Sequence, residues 1–271
     1  MTSKTLKISD LKLTSSILRT IIIIENIIRT TPFANQADAV NTPSDNSTMN
    51  ILELADQRFD DDQFEEAIDL YTQAIALFPS NEDLFVNRGL AKEMLGDDEG
   101  AIKDYQKATE INPINSNALF LLGSQKAQTN DLEEAINILS KSIEIDPTSE
   151  NSSAYRYRGI ARNDTGKYAE ALSDFFKLIE FDSNDGESYL LIGYNHIKLE
   201  NYQESLYYLN KAIEVFEVNT GDEYDISECY LYIGNANSKL GDLEGACSNW
   251  KIATDLDNDD ARTIYEKNCL K

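Results

Sequence analysis

Residues 82–115 read EDLFVNRGLAKEMLGDDEGAIKDYQKATEINPIN. Gly89 follows an apolar stretch, and Ala101 stands twelve residues further on. Tyr105 comes four residues after that, Ala108 three later, and Pro113 closes the run. Small residues at Gly89 and Ala101 let two helices approach closely. Gly96 lies between them, where the first helix must stop and left-handed backbone favours glycine. Pro113 ends the second helix, because proline cannot continue one.

The same columns recur along the chain. The small residue is Ala55, Gly89, Gly123, Gly159, Gly193 and Gly234, at spacings of 34, 34, 36, 34 and 41 residues. Twelve residues after each come Ala67, Ala101, Ala135, Ala171, Ser205 and Ala246. Next stand Tyr71, Tyr105, Leu139, Phe175, Leu209 and Trp250, and then Ala74, Ala108, Ser142, Leu178, Ala212 and Ala253. Repetition at such a period means stacked supersecondary units, since one hairpin cannot bury both faces alone.

With the small residue at position 8 of a 34-residue unit, these copies resemble the tetratricopeptide (TPR) family. The resemblance implies an all-α right-handed superhelix of six helix-turn-helix repeats. The units are 48–81, 82–115, 116–149, 152–185, 186–219 and 227–260. A non-repeat segment, 1–47, precedes them, and 261–271 is expected to cap the open end with Ile264, Tyr265 and Leu270 inward. Gly96, Gly166 and Gly241 occupy position 15, with Asn130 in the third unit. Proline holds position 32 only in the first three units, at Pro79, Pro113 and Pro147. The second helix of the fifth unit is therefore expected to run through Glu217 or beyond. The runs Asn87–Lys92 and Gly245–Trp250 resemble bacterial, especially cyanobacterial, members.

Charge narrows the partners. The formal net charge is −24; residues 1–48 carry +1 and the remainder −25. Such a body repels phosphate backbones, so no nucleic-acid partner is expected. A cationic partner is compatible with it, as is plain solvation of helix surfaces by carboxylates. Membrane association could come only through residues 1–30. Ile17–Ile28 is too short to span a bilayer and contains Arg19 and Glu25.

Lysines precede the isoleucine run, and Ala37-Asp38-Ala39 has the form of a signal-peptide cleavage site. Against export, the basic region is long and Glu25 interrupts the apolar core. The alternatives are an amphipathic helix and a leader before a start at Met49. A cytoplasmic chain is expected, and an exported, envelope-associated one if residues 1–39 are a signal peptide. The three cysteines, Cys229, Cys247 and Cys269, make no disulfide framework by count and suit a reducing compartment.

No catalytic constellation is present in the sequence, so an enzyme is not expected, nor a cofactor or metal. The single histidine, His196, shares a polar column with Arg58, Lys92, Lys126, Arg162 and Asn237, and is read as structural. Trp250 sits in a packing column, and Cys229 and Cys247 are read as small packing residues. The expected function is a protein-interaction scaffold or assembly factor.

In the family, ligands lie in the concave groove lined by the first helices. Carried over by position, the groove residues are Leu52, Val86, Leu90, Phe120, Arg156, Ile160, Leu190, Tyr194, Leu231 and Asn235. They suit an extended or helical apolar peptide. A carboxylate clamp of the chaperone-binding kind would fall on Leu52, Asp56, Asn87, Asn117 and Leu121, of which only Asn87 fits. Positions 7 and 23 covary: arginine at 7 occurs only in the second and fourth units, the only ones with aspartate at 23. Ion pairs Arg88–Asp104 and Arg158–Asp174 are therefore expected inside those hairpins.

Overall fold

The computed structural model describes residues 45–218 and 223–270. The apolar run, the A-x-A site and the basic residues of the N-terminal segment lie outside them. The described residues form two compact units, divided between Asp146 and Pro147.

The N-terminal unit is three helical hairpins. They are α1 (Asp45–Asp60) with α2 (Phe64–Leu77), α3 (Glu82–Met94) with α4 (Asp98–Ile111), and α5 (Ser116–Gln128) with α6 (Leu132–Ile145). The C-terminal unit has three more: α7 (Ser152–Asp164) with α8 (Tyr168–Phe181), α9 (Gly186–Lys198) with α10 (Tyr202–Val218), and α11 (Glu223–Leu240) with α12 (Leu243–Asp255). A short 3-10 turn, Ser149–Asn151, precedes α7, and α13 (Asp259–Cys269) follows α12. In each unit a helix packs on its hairpin partner and on the next helix in the chain. This is the all-α architecture of a TPR solenoid.

The hairpin contact is the column pairing of position 8 with position 24. A Cβ on Gly89 would lie 2.6 Å from Tyr105 Cε1, and one on Gly159 2.8 Å from Phe175 Cε1. Gly193 would meet Leu209, and Gly234 would meet Trp250. Tyr71, Tyr105, Leu139, Phe175, Leu209 and Trp250 are all buried, Trp250 as expected of a packing column. The helices thus close over the bare backbone at position 8, with a large side chain filling the gap.

All six first helices end on left-handed backbone at position 15. Gly96, Gly166 and Gly241 take it freely, and Asn130 tolerates it. Asp62 and Glu200 take it too, with φ of 58° and 61°. The second helices of the first three repeats stop at Leu77, Ile111 and Ile145, two residues before each proline. The residue preceding proline is itself pushed out of helical backbone, so the stop comes early. Of the three repeats without that proline only the fifth has a longer second helix, α10, which runs to Val218 as expected. Helix α8 stops at Phe181 and α12 at Asp255, so the missing proline permits the extension without causing it.

Two boundaries and one side chain differ from the sequence reading. Helix α1 starts at Asp45 and α11 at Glu223, so polar stretches outside the repeat units join their helices. The cap does form, with Ile264 and Tyr265 against Trp250 and Leu231, but Leu270 is 64% exposed rather than inward. It lies just past the last turn of α13, where the helical register no longer aims it at the core.

Position 15 yields a direct test. Glu200→Gly removes the cost of a side chain on left-handed backbone and should stabilise the protein by about 1 kcal/mol, raising Tm by roughly 2–4 °C. Gly193→Ala should do the reverse. Its Cβ would sit 2.5 Å from Leu209 Cγ and 3.3 Å from the Leu209 backbone nitrogen, which cannot swing away. Thermal and urea denaturation should show a loss of about 1–3 kcal/mol.

Candidate functional site: the first-helix faces

Each hairpin in the second and fourth repeats carries a shielded acid with two cations. Asp104 accepts from Arg88 Nη2 at 2.6 Å and Nε at 2.9 Å, a fork-on-fork pair. Lys92 Nζ reaches the same carboxylate at 2.7 Å. Asp174 likewise accepts from Arg158 Nη2 at 2.6 Å and from Arg162 Nη1 at 2.7 Å. The second cation of each triad, at position 11, was not foreseen. The signal was in the sequence, since that column is Arg58, Lys92, Lys126, Arg162, His196 and Asn237. Where position 23 is apolar, the position-11 cation turns elsewhere: Lys126 to Glu134 and Asp131, and Arg58 to Glu66.

His196 fills that column in the fifth repeat. Its ring stacks on Tyr208 at 5.5 Å, and neither nitrogen has a hydrogen-bond partner. Burial lowers its pKa, with the charge of Glu204 opposing. It is a packing residue in the place of an ion-pair donor. Among the described residues, no cluster of three His, Cys, Asp or Glu is arranged to hold a metal ion.

The side chains carried over as groove residues have varied fates. Val86, Leu90, Phe120, Leu190, Tyr194 and Leu231 are buried, so they are mainly packing residues. Leu52, Arg156, Ile160 and Asn235 are half-buried. Arg156 is engaged by Asp185 at 2.6 Å and Glu187 at 2.7 Å. Asn235 Oδ1 accepts from the Trp250 indole N–H at 3.1 Å. Such bonds repeat wherever position 24 has a polar handle: Tyr71 donates to Asp56 at 2.6 Å and Tyr105 to Glu93 at 2.9 Å. Buried Tyr and Trp need such partners, and the acceptors come from positions 9 and 12 of the first helix.

The two units differ in what their first helices present. In the C-terminal unit the face is paired within itself. Besides the Arg156 bridges and the Asn235 bond, Tyr194 packs on Tyr232 at 5.2 Å, with Lys198 over the Tyr194 ring. In the N-terminal unit, positions 2, 5, 6, 9, 12 and 13 of the three first helices contain no lysine or arginine. Glu53, Asp56, Asp60 and Asp83 stand exposed there. Asp56 accepts from the Tyr71 hydroxyl of its own hairpin. The Asp56 carboxyl is raised above its ordinary value by burial and by the charge of Asp60, against the Tyr71 bond. The face is anionic and lacks cations of its own.

The chain matches the TPR-repeat family model over residues 55–96 and the tetratricopeptide-repeat model over 82–115, 116–149 and 186–219. The last three spans have the limits of the second, third and fifth units. The chain belongs to the tetratricopeptide-repeat family. Proteins built of these repeats are non-catalytic interaction scaffolds, and this TPR protein is one by its repeats.

No curated protein matches the chain by sequence. Solved structures share its fold. YrrB, described as a TPR protein with an unusual peptide-binding site, is 17% identical with a TM-score of 0.64, over 73% of this chain and 97% of YrrB. MamA is 22% identical with a TM-score of 0.59, over 63% and 92% of the two chains. PilW, a type IV pilus biogenesis factor, is 16% identical with a TM-score of 0.60, over 81% and 99%. At these identities the likeness concerns the fold alone.

The triads predict a large penalty for removing the shared acid. Asp174→Ala would strand Arg158 and Arg162 beside a site whose carboxylate is 1% exposed. Chemical denaturation should show a loss of about 2–4 kcal/mol. The paired change Arg88→Leu with Asp104→Leu should cost far less than Asp104→Ala. Lys92 can then leave the pair for another acid, as Lys126 turns to Asp131 and Glu134 in the third repeat. Additive effects of Arg88→Leu and Asp104→Leu would show the pair to be uncoupled.

Proposed function

We propose that the protein holds a partner segment rich in lysine or arginine, with interspersed apolar residues, along the first-helix face of its N-terminal unit. The observation that carries this is the acidic face of Glu53, Asp56, Asp60 and Asp83, with no basic residue at the positions around them. On the corresponding face of the C-terminal unit Arg156 is held by Asp185 and Glu187, and Lys198 lies over the Tyr194 ring. Half-buried Leu52 and Phe59 offer apolar contact between the carboxylates. Recognition of a peptide by such a repeat agrees with the peptide-binding site described for YrrB.

A second reading concerns location. Cys247 and Cys269 are disulfide-bonded, contrary to the expectation from the odd cysteine count. The count misled because Cys229 is buried and unpaired, leaving two cysteines on adjacent helices. Disulfides persist in oxidising compartments. With the lysines and Ala37-Asp38-Ala39 of the N-terminal segment, this favours an exported, envelope-associated protein over a cytoplasmic one.

Fluorescence anisotropy with labelled peptides tests the first reading. A basic, Leu-containing peptide should bind the full chain, and its acidic counterpart should not. Affinity should fall steeply with salt. Asp56→Asn with Asp60→Asn should weaken it about ten-fold at low salt, and Arg156→Ala should leave it alone. Because the Asp56 carboxyl is raised when no cation is near, a bound cation lowers it again. Affinity should therefore drop as pH falls through that raised value, above 3.8, and level off by neutrality. Equal binding of the acidic peptide would refute the proposal. For location, intact mass of protein from its native source should show a chain starting near Val40; a full-length mass would refute export.

A further inference from the structure

Helix α13 has no hairpin partner among the described residues. It lies on α12 and α11, covering Trp250, Leu231 and Ala253 with Ile264 and Tyr265. Only one of its residues, Ala261, is fully buried. Eleven residues make a marginal helix without tertiary support. Its near end is tied by Asn258. That side chain caps the Ala261 N–H and bonds Ser227 and Glu228. Its far end is tied to α12 by the Cys247–Cys269 disulfide, with Cα atoms 5.8 Å apart.

We propose that this disulfide is a redox latch on the C-terminal cap. A dithiol reductant opens it by thiolate attack on one of the two sulfurs, giving a mixed disulfide. The second thiol of the reductant then displaces the protein sulfur and closes its own disulfide. Two electrons and two protons pass to the protein, leaving Cys247 and Cys269 as thiols. The near end of α13 stays held by Asn258, while the far end keeps only a thin apolar contact and swings clear. What it uncovers is the stacking face of the last repeat, with Trp250 at its centre. Cys229 takes no part: it is fully buried, and burial pushes its thiol pKa well up. A buried, un-ionised thiol is a poor nucleophile for exchange.

The full chain purified without reductant should show one alkylatable thiol on denaturation, and three after reduction. Trypsin should then cut at Arg262 and Lys267 at least about ten-fold faster in a dithiol reductant than in its absence, since cleavage follows the population of the opened end. Emission of the single tryptophan, Trp250, should move toward longer wavelength, while far-UV circular dichroism stays close to native. Cys269→Ser should behave as the reduced protein in either buffer, and Cys229→Ala as wild type. Equal cleavage rates with and without reductant would overturn the proposal, showing that apolar packing alone holds α13. So would three free thiols in air-oxidised protein.

Discussion

Everything in this structure depends on two helices approaching so closely that one of them has room for at most a methyl group. At position 8 an alanine or glycine leaves backbone exposed to the partner helix, and the residue at position 24 occupies the space. Interiors are packed like crystals, so a gap or an extra carbon there is felt directly. Once that contact is fixed, the rest of the hairpin follows. The turn must be short, which forces left-handed backbone at position 15. Positions 7 and 11 are brought onto position 23. The other side of the first helix is left to carry function.

The choice at position 24 also reaches the functional face. Leucine or phenylalanine there needs nothing more. Tyrosine or tryptophan brings a donor that must be satisfied, and the first helix supplies Asp56, Glu93 or Asn235 for it. A residue that reads as a ligand contact can thus be partly committed to its own hairpin. Asp56 is both: it accepts from Tyr71 and remains exposed beside Asp60. Its carboxyl is raised first by burial and then by the neighbouring charge of Asp60.

The ion triads divide structural charge from functional charge. Most charge on a surface this acidic does little for stability, since exposed pairs are screened. The carboxylates of Asp104 and Asp174 are different because they are 5% and 1% exposed, each between two cations. Their desolvation offsets much of the attraction, so they act chiefly to fix the pairing of their hairpins. Cations spent in these triads are unavailable to neutralise the carboxylates on the first-helix face.

The sequence by itself determined the repeat, its helices and its packing columns. Each of these is a local or short-range demand: a missing Cβ, a proline, a turn residue, a period. It also carried the pairing of Arg88 with Asp104 and Arg158 with Asp174, because covariation at fixed positions survives as a pattern in one chain. Tertiary structure alone decided which first-helix side chains are covered. Val86, Phe120 and Leu190 stand in the same column as Arg156, yet burial by neighbours depends on distances that no column encodes. It decided that Lys92 and Arg162 join the triads, and that Leu270 falls outside the core. It also decided that Cys247 and Cys269 meet, since 22 residues of separation say nothing until α13 folds back on α12. Pattern fixes what each helix must bury; only the packed solenoid fixes what remains exposed for a partner.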